Sequence, residues 1–389
     1  MNILALSVRV PEEGKKGDQT LSYHRLRYLS DNHKITLICF GSHESDSMPL
    51  AKLESLGITV KVIRWNKITA AKNLLLALFC ADAPFQCALF QSGPYRKAVM
   101  HSVAEFHPDA VYAVMIRPLM NLPGSCLPLF VDMIDSMGLH LYRRVALERG
   151  WRRIVVEMER RRVGAYEVKV ISKAVCAFVV SRIDQKFIAQ KKVQVLPIGI
   201  DNREFFKRPD GSLEPVIAFT GNMNYKPNVD AVLWFYRHCW KKLKFVIPGL
   251  RWVIAGSNPL ANVVCLRSDS AITVTGRVVS LAAVLNAARL AIAPMQSGSG
   301  MQFKILEAMA CGVPVVTTSL GLGDIAAKPD QEVILAESAD EFVQAVINLL
   351  ASADLRRSIG EAGMRYVRAH HTWDTLNAQF EKSMLAALN

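Results

Sequence analysis

Apolar positions along the 389-residue chain follow two alternating rhythms. Short aliphatic or β-branched runs bounded by turn residues alternate with longer stretches in which apolar residues recur at helical spacing. That alternation predicts parallel strands joined by helical crossovers, an α/β fold. In the first half the strand-like runs cover residues 3–8, 34–40, 59–63, 110–114, 127–131, 177–180 and 193–196. An arginine-rich helical stretch over 140–165 interrupts them. The second half supplies runs at 216–220, 251–255, 272–274, 290–293, 313–317 and 332–335. One sheet holding all of these would exceed the roughly ten strands that a strongly twisted open sheet tolerates, so two doubly wound sheets are expected. The join is predicted around Pro197 to Asp201, followed by the polar turn at 207–211. This divides the chain into residues 1–200, residues 201–370 and a terminal helical segment, 371–389, that packs on one domain or crosses back to the first.

Composition narrows the class. With 51% hydrophobic and 21% charged residues the chain is globular rather than disordered. Lys plus Arg exceed Asp plus Glu by 47 against 34, a net charge of +13 that favours an anionic partner: nucleic acid, a membrane surface or a phosphorylated small molecule. No helix-turn-helix, zinc-ligand or aromatic-platform pattern accompanies the charge, which argues against nucleic acid. The eight cysteines lie at least seven positions apart, so no zinc-type pair exists and reduced, buried thiols in a cytoplasmic protein are expected. Residues 1–10 lack a basic segment leading into a long apolar core, and the apolar run at 74–81 is too short to span a bilayer.

The chemistry-bearing stretch is Gln296 to Val316. A strand at 290–293 leads into Gly298-Ser299-Gly300 and then into a helix that begins near Lys304, with Glu307 one turn further on. A glycine loop that opens a helix aims unpaired backbone N–H groups and the positive helix end at one point, an arrangement that suits a phosphate. Lys304 adds a full charge there, and Glu307 is placed to accept hydrogen bonds from a ribose diol. An ordinary i,i+3 ion pair between Lys304 and Glu307 is the alternative reading of the same spacing.

The segment Lys304-Ile-Leu-Glu307-Ala-Met-Ala-Cys-Gly312-Val-Pro-Val-Val resembles the nucleotide-sugar motif of the group 1 glycosyltransferases, glycosyltransferase family 4. Further segments fall in the same order: Lys16-Gly17-Asp18, Pro197 to Asp201 with Phe205, Phe219 to Asp230, Arg251 to Gly256, and Thr275 to Val278. The resemblance is to the branch associated with bacterial exopolysaccharide synthesis. It implies two Rossmann-like domains facing across a cleft (GT-B type), with acceptor on the first and nucleotide-sugar donor on the second. It also implies transfer with retention, no metal and no cofactor beyond the donor substrate. Donor-site positions under this reading are Gly17, Gly221, Asn224, Lys226, Arg277, Gly298, Ser299, Gly300, Lys304 and Glu307. Two departures stand out. Ser299 occupies the position of the first glutamate of the family's pair, and Asn222 and Met223 follow Gly221 where an Arg and a Lys commonly clamp the diphosphate. Lys226, Arg277 and Lys304 are the candidates to replace that charge.

On the acceptor side, Asp132 and Asp135 follow a strand and are candidates to orient or deprotonate an acceptor hydroxyl, with helix capping as the alternative for Asp135. Arg117, just past another strand, is the third acceptor-side candidate. The leading expectation is a glycosyltransferase acting on a lipid-linked or polysaccharide acceptor. A catalytically weakened, glycosyltransferase-like scaffold subunit is the alternative. Between Arg143 and Arg162 there are eight arginines against three glutamates, with Trp151, Ile154, Val155 and Met158 interleaved, so salt-sensitive adsorption to the inner face of the cytoplasmic membrane is a further expectation.

Overall fold

A computed structural model describes residues 1–15, 17–80, 83–124, 127–146, 148–207, 214–297 and 301–388. The chain forms two units, Met1–Pro197 with Leu376–Asn389, and Ile198–Thr375. The first boundary falls a few residues before the expected one, and the chain returns to the first unit from Leu376 onward.

The first unit holds a seven-stranded parallel sheet in the order β3-β2-β1-β4-β5-β6-β7. Its strands are β1 (Asn2–Leu6), β2 (Lys34–Phe40), β3 (Thr59–Ile63), β4 (Ala110–Val114), β5 (Leu129–Ile134), β6 (Cys176–Val179) and β7 (Val193–Val195). The second unit holds six parallel strands in the order β10-β9-β8-β11-β12-β13. These are β8 (Val216–Thr220), β9 (Arg251–Ala255), β10 (Ile272–Gly276), β11 (Leu290–Ala293), β12 (Val315–Thr317) and β13 (Ile334–Leu335). Each sheet grows outward from its first strand in both directions, so strand order reverses between β1 and β4 and between β8 and β11. In open α/β sheets ligands bind beyond the strand carboxyl ends at such reversals.

Central strands buried on both faces explain why the runs read as continuous apolar segments rather than alternating ones. Along β8, Val216 and Ala218 face a cluster containing Ile305, Leu306 and Met309, while Ile217 and Phe219 face Phe235, Trp252 and Phe342. The helix Phe303–Ala310 is thereby fixed flat against the sheet by its apolar side.

Strands β6, β7, β10, β12 and β13 differ from the expected runs by one or two residues at one or both ends, and three further expectations shift. The first strand ends at Leu6 rather than residue 8, because the Ser7 hydroxyl closes a turn with the backbone of Arg9. The expected strand at 127–131 runs instead through Leu129–Ile134, taking Asp132 inside it. The arginine-rich helix is two helices, Met137–Val145 and Gly150–Lys173, the first capped by Ser136. The expected turn at 207–211 lies, past Lys207, outside the described residues.

The helix Trp373–Leu388 completes the first unit. Phe380 packs against the rings of Phe178 and Tyr112 at 4.7 and 5.3 Å, and Glu381 receives His33 at 2.7 Å. No helix among the described residues is long and apolar enough to cross a membrane.

Candidate functional site

At the carboxyl edge of the second sheet, Gly221, Gly256 and Gly276 end or follow β8, β9 and β10. Backbone bonds from Gly221 N to Ala255 O (3.0 Å) and from Gly256 N to Gly276 O (3.1 Å) tie the three together. A Cβ at Gly256 would stand 1.7 Å from the Gly221 carbonyl oxygen, and one at Gly221 would stand 2.6 Å from Asn228 Nδ2, so both positions require glycine on steric grounds. The result is an edge without side chains beside the β8/β11 reversal, where backbone is open to a ligand.

Lys304 reaches toward this edge from the first turn of helix Phe303–Ala310. Its Nζ donates to Asn228 Oδ1 at 2.9 Å and to Gln302 Oε1 at 2.8 Å, and lies 5.6 Å from the centre of the Phe219 ring. Asn228, buried, donates in turn to the Asn222 carbonyl at 2.9 Å, which couples the loop after β8 to the helix bearing Lys304. Among the described residues no carboxylate forms an ion pair with the ammonium, and burial holds its pKa down at about 8, with Glu307 opposing that shift. The N-cap, Gln302, makes no capping bond with its side chain.

Glu307 follows one turn along the same helix. The i,i+3 ion pair with Lys304 does not form, because Lys304 is taken by Asn228 and Gln302. Its carboxylate makes no hydrogen bond or ion pair among the described residues. Burial pushes its pKa up to about 7, with Lys304 opposing and Glu204 adding to the rise. A carboxylate whose charged form burial disfavours gains from a donor hydroxyl pair. The arrangement therefore offers, within one helical turn, a cation for an anion and a carboxylate for hydroxyls.

Other predicted positions contribute less. The Asn224 side chain is exposed, and its N–H donates to Asn222 Oδ1 at 3.0 Å in a turn. Lys226, the candidate to replace the clamp charge, is exposed and paired with Asp230 at 2.7 Å. Met223, at one of the clamp positions, is fully buried. Arg277 is exposed after β10, two strands from the reversal. Gly298, Ser299 and Gly300 lie outside the described residues. Asn228 and Gln302, which hold Lys304, were not singled out from the sequence. The available signal was a polar side chain set in the apolar helix Lys226–Phe235 beside Val229 and Val232.

In the first unit, Gly17 opens the helix Gly17–Ser30 with open space at its Cα, and Asp18 there pairs with Arg9. Met115 and Ile134, just past the end of β4 and at the end of β5, have φ of 62° and 66°, left-handed backbone that is strained for such residues. Arg117 lies two residues beyond Met115 and donates to Gln86 Oε1 at 3.4 Å. Its buried Nε has no partner, and burial, then Arg9, lowers its pKa.

Asp132 is not an accessible base. It is 1% exposed, ion-paired with Arg25 at 3.0 Å and within 3.4 Å of the Tyr112 hydroxyl. Arg25, also 1% exposed, further donates to Asn377 Oδ1 at 2.9 Å and lies 4.2 Å from the Phe380 ring centre. Asp132 thus joins β5 to two helices. Asp135 is exposed, and it is not the helix cap, since Ser136 holds that place. Local desolvation and the neighbouring Asp184 push its carboxyl up to about 6.

Residues 214–352, which include the glycine edge, Asn228, Lys304 and Glu307, match the family described as Glycosyl transferases group 1. A curated relative, the "Glycosyltransferase 1 domain-containing protein 1" of Xenopus tropicalis, is 33% identical over 75 residues, 19% of this chain and 22% of that protein. The match thus spans about a fifth of the relative's length. Among solved structures, Anabaena Alr3699/HepE in complex with UDP and glucose aligns with TM-score 0.66 at 15% identity, over 99% of both chains. A glycosyltransferase from Rickettsia africae gives TM-score 0.69 at 12% identity over 100% of this chain and 98% of that one. TarM gives 0.70 at 8% identity with the same coverage. The chain therefore shares the fold of these structures, two doubly wound units of GT-B type, and residues 214–352 of its second unit are similar to the group 1 glycosyl transferase domain.

Proposed function

We propose that the chain is a glycosyltransferase that binds a nucleotide-sugar donor on its second unit and transfers the sugar to a lipid-linked or polysaccharide acceptor, with retention and without a metal. The carrying observation is the pair on helix Phe303–Ala310: an un-neutralised Lys304 and, one turn on, a Glu307 carboxylate without a hydrogen-bond partner among the described residues. In this reading Lys304 and the helix start take up the negative charge that builds on the leaving nucleoside diphosphate. Glu307 accepts the ribose hydroxyls. Asp135, not Asp132, is the acceptor-side carboxylate. The Anabaena Alr3699/HepE structures are complexes with UDP and glucose and with UDP-glucose, which supports the donor class.

The test is calorimetric binding of UDP and UDP-glucose. Glu307→Ala is expected to weaken both by about 1.5–3 kcal/mol, the range for a hydrogen bond to a charged group. Lys304→Ala is expected to weaken UDP far more than uridine. A folded Glu307→Ala protein that binds UDP as tightly as the parent, or equal losses of UDP and uridine in Lys304→Ala, would overturn the assignment.

The same pair predicts a pH optimum for binding. Bound diphosphate raises the Lys304 pKa, so the complex holds more protons than the free protein above about pH 8 and affinity falls as pH rises there. Ribose hydroxyls favour the ionised Glu307, so the complex holds fewer protons below about pH 7 and affinity falls as pH drops. UDP-glucose affinity should peak between these values and decline by up to about tenfold per pH unit outside them. A flat profile from pH 6 to 9 would refute it.

One observation favours a second reading, a donor-binding scaffold subunit. Neither buried Met223 nor Asp230-bound Lys226 supplies the clamp charge. UDP-glucose binding without hydrolysis or transfer to any acceptor would support it.

A further inference from the structure

The helix Lys67–Leu78 is attached to the first unit the wrong way round for a packing helix. Its inward residues are the small ones, Ala70 and Ala77, with Asn73 donating to the Gln91 carbonyl at 2.6 Å. Its large apolar side chains point to solvent: Ile68 is 81% exposed, Leu75 62%, Leu76 58% and the C-cap Phe79 91%. Ile68, Lys72, Leu75 and Phe79 follow one another at helical spacing as a single outer ridge. A surface helix normally buries such a stripe, and an exposed one of this size marks an interaction surface.

The neighbouring helix Gly150–Lys173 extends this surface. Arg162 donates to the carbonyl of Ala77, fixing the two helices together. In its first turn Trp151 and Ile154 are 70% and 71% exposed, and Arg152 stacks over the Trp151 ring at 5.7 Å. The arginines of this helix divide sharply. Arg160 and Arg161 share the single Glu157 carboxylate at 2.6 and 3.0 Å, which cancels one of their two charges, whereas Arg152 and Arg153 have no carboxylate partner among the described residues. Gly150, Arg153, Ile154, Met158, Arg162 and Ala165 line an open groove of about 650 Å³ along the same helix.

We propose that this face docks on an anionic lipid bilayer, with Ile68, Leu75 and Phe79 entering the interface and Lys72, Arg152 and Arg153 meeting lipid phosphates. Charge complementarity selects the occupant: apolar side chains edged by cations without counter-charges fit an interface of acyl chains and anionic headgroups. The proposal does not rest on the donor-site reading, and Glu307→Ala is expected to leave vesicle binding unchanged.

The test is co-sedimentation of the full chain with phosphatidylglycerol/phosphatidylcholine vesicles and with phosphatidylcholine alone, at low and high salt. The parent should pellet with anionic vesicles at low salt and be released in large part, but not wholly, as salt rises. Arg152→Gln with Arg153→Gln should lower anionic partitioning by about 30-fold, at roughly fivefold per basic residue. Arg160→Gln with Arg161→Gln should change it far less. Leu75→Gln with Phe79→Gln should abolish binding that survives high salt, while melting stays as in the parent because both side chains are exposed. Failure to pellet with anionic vesicles at low salt, equal losses from the two arginine pairs, or a dimer that Leu75→Gln with Phe79→Gln dissolves would overturn it.

Discussion

Asp132→Ala is expected to destabilise the first unit by about 3–5 kcal/mol, the usual result of leaving a buried charge without its partner. The cause is Arg25, whose guanidinium would keep Asn377 and the Phe380 ring but lose the carboxylate 3.0 Å away. Burial disfavours the charged form of Asp132, and Arg25 offsets this, so each charge stands because of the other. Differential scanning calorimetry should show the transition of the first unit falling while UDP binding to the second is retained. Asp132→Asn should cost less, since an amide oxygen still accepts from Arg25. Asp135→Asn should do the reverse, sparing the melting profile and depressing transfer. A melting profile of Asp132→Ala within about 0.5 kcal/mol of the parent would show that the pair is not structural.

Gly256→Ala is expected to be the most damaging single-methyl change to the donor side. The added Cβ would sit 1.7 Å from the Gly221 carbonyl oxygen, and the neighbour is backbone rather than a side chain that swings away. The φ of 150° at Gly256 is itself unfavourable for alanine. Relief requires the loop after β8 to separate from β9, which breaks the Gly221 N to Ala255 O bond and moves Asn228 away from Lys304. A loss of at least about 3 kcal/mol in stability is expected, with UDP binding lost alongside it. Gly249→Ala is the control: φ there is 73°, but nothing lies within 4 Å of the added carbon. It should cost only the about 1–2 kcal/mol of left-handed backbone and leave UDP binding intact. Equal effects at the two positions would show that the glycine edge is not required.

Strands β2, β3, β4, β8, β9 and β11 were legible to the residue, because fully buried parallel strands read as unbroken apolar runs between turn residues. β5 was misplaced because it contains an acid. A charge ends an apolar run on paper, and only the long-range pairing with Arg25, more than 100 positions away, makes it tolerable inside a sheet. In the candidate site, Lys304 and Glu307 could be placed on one helix by local spacing. What each side chain does could not, since the partner that takes Lys304 from Glu307 is Asn228, 76 positions earlier. The exposed helix Lys67–Leu78 was hidden for the opposite reason: its apolar run at 74–81 is informative in the sequence only as too short for a membrane span, and burial alone shows Ala70 and Ala77 inside and Phe79 outside.

The final helix bears on the order of events during synthesis. Phe380 fills the space between Phe178 and Tyr112, and Asn377 holds both Arg25 and the His24 carbonyl. A nascent chain emerging from its N-terminus has therefore made all of the second unit before the last pieces of the first exist. Until then Arg25 and Asp132 sit under an open aromatic pocket on a ribosome-bound chain. The second unit, contiguous in sequence, has no such wait, so the part made later is free to close before the first unit is complete.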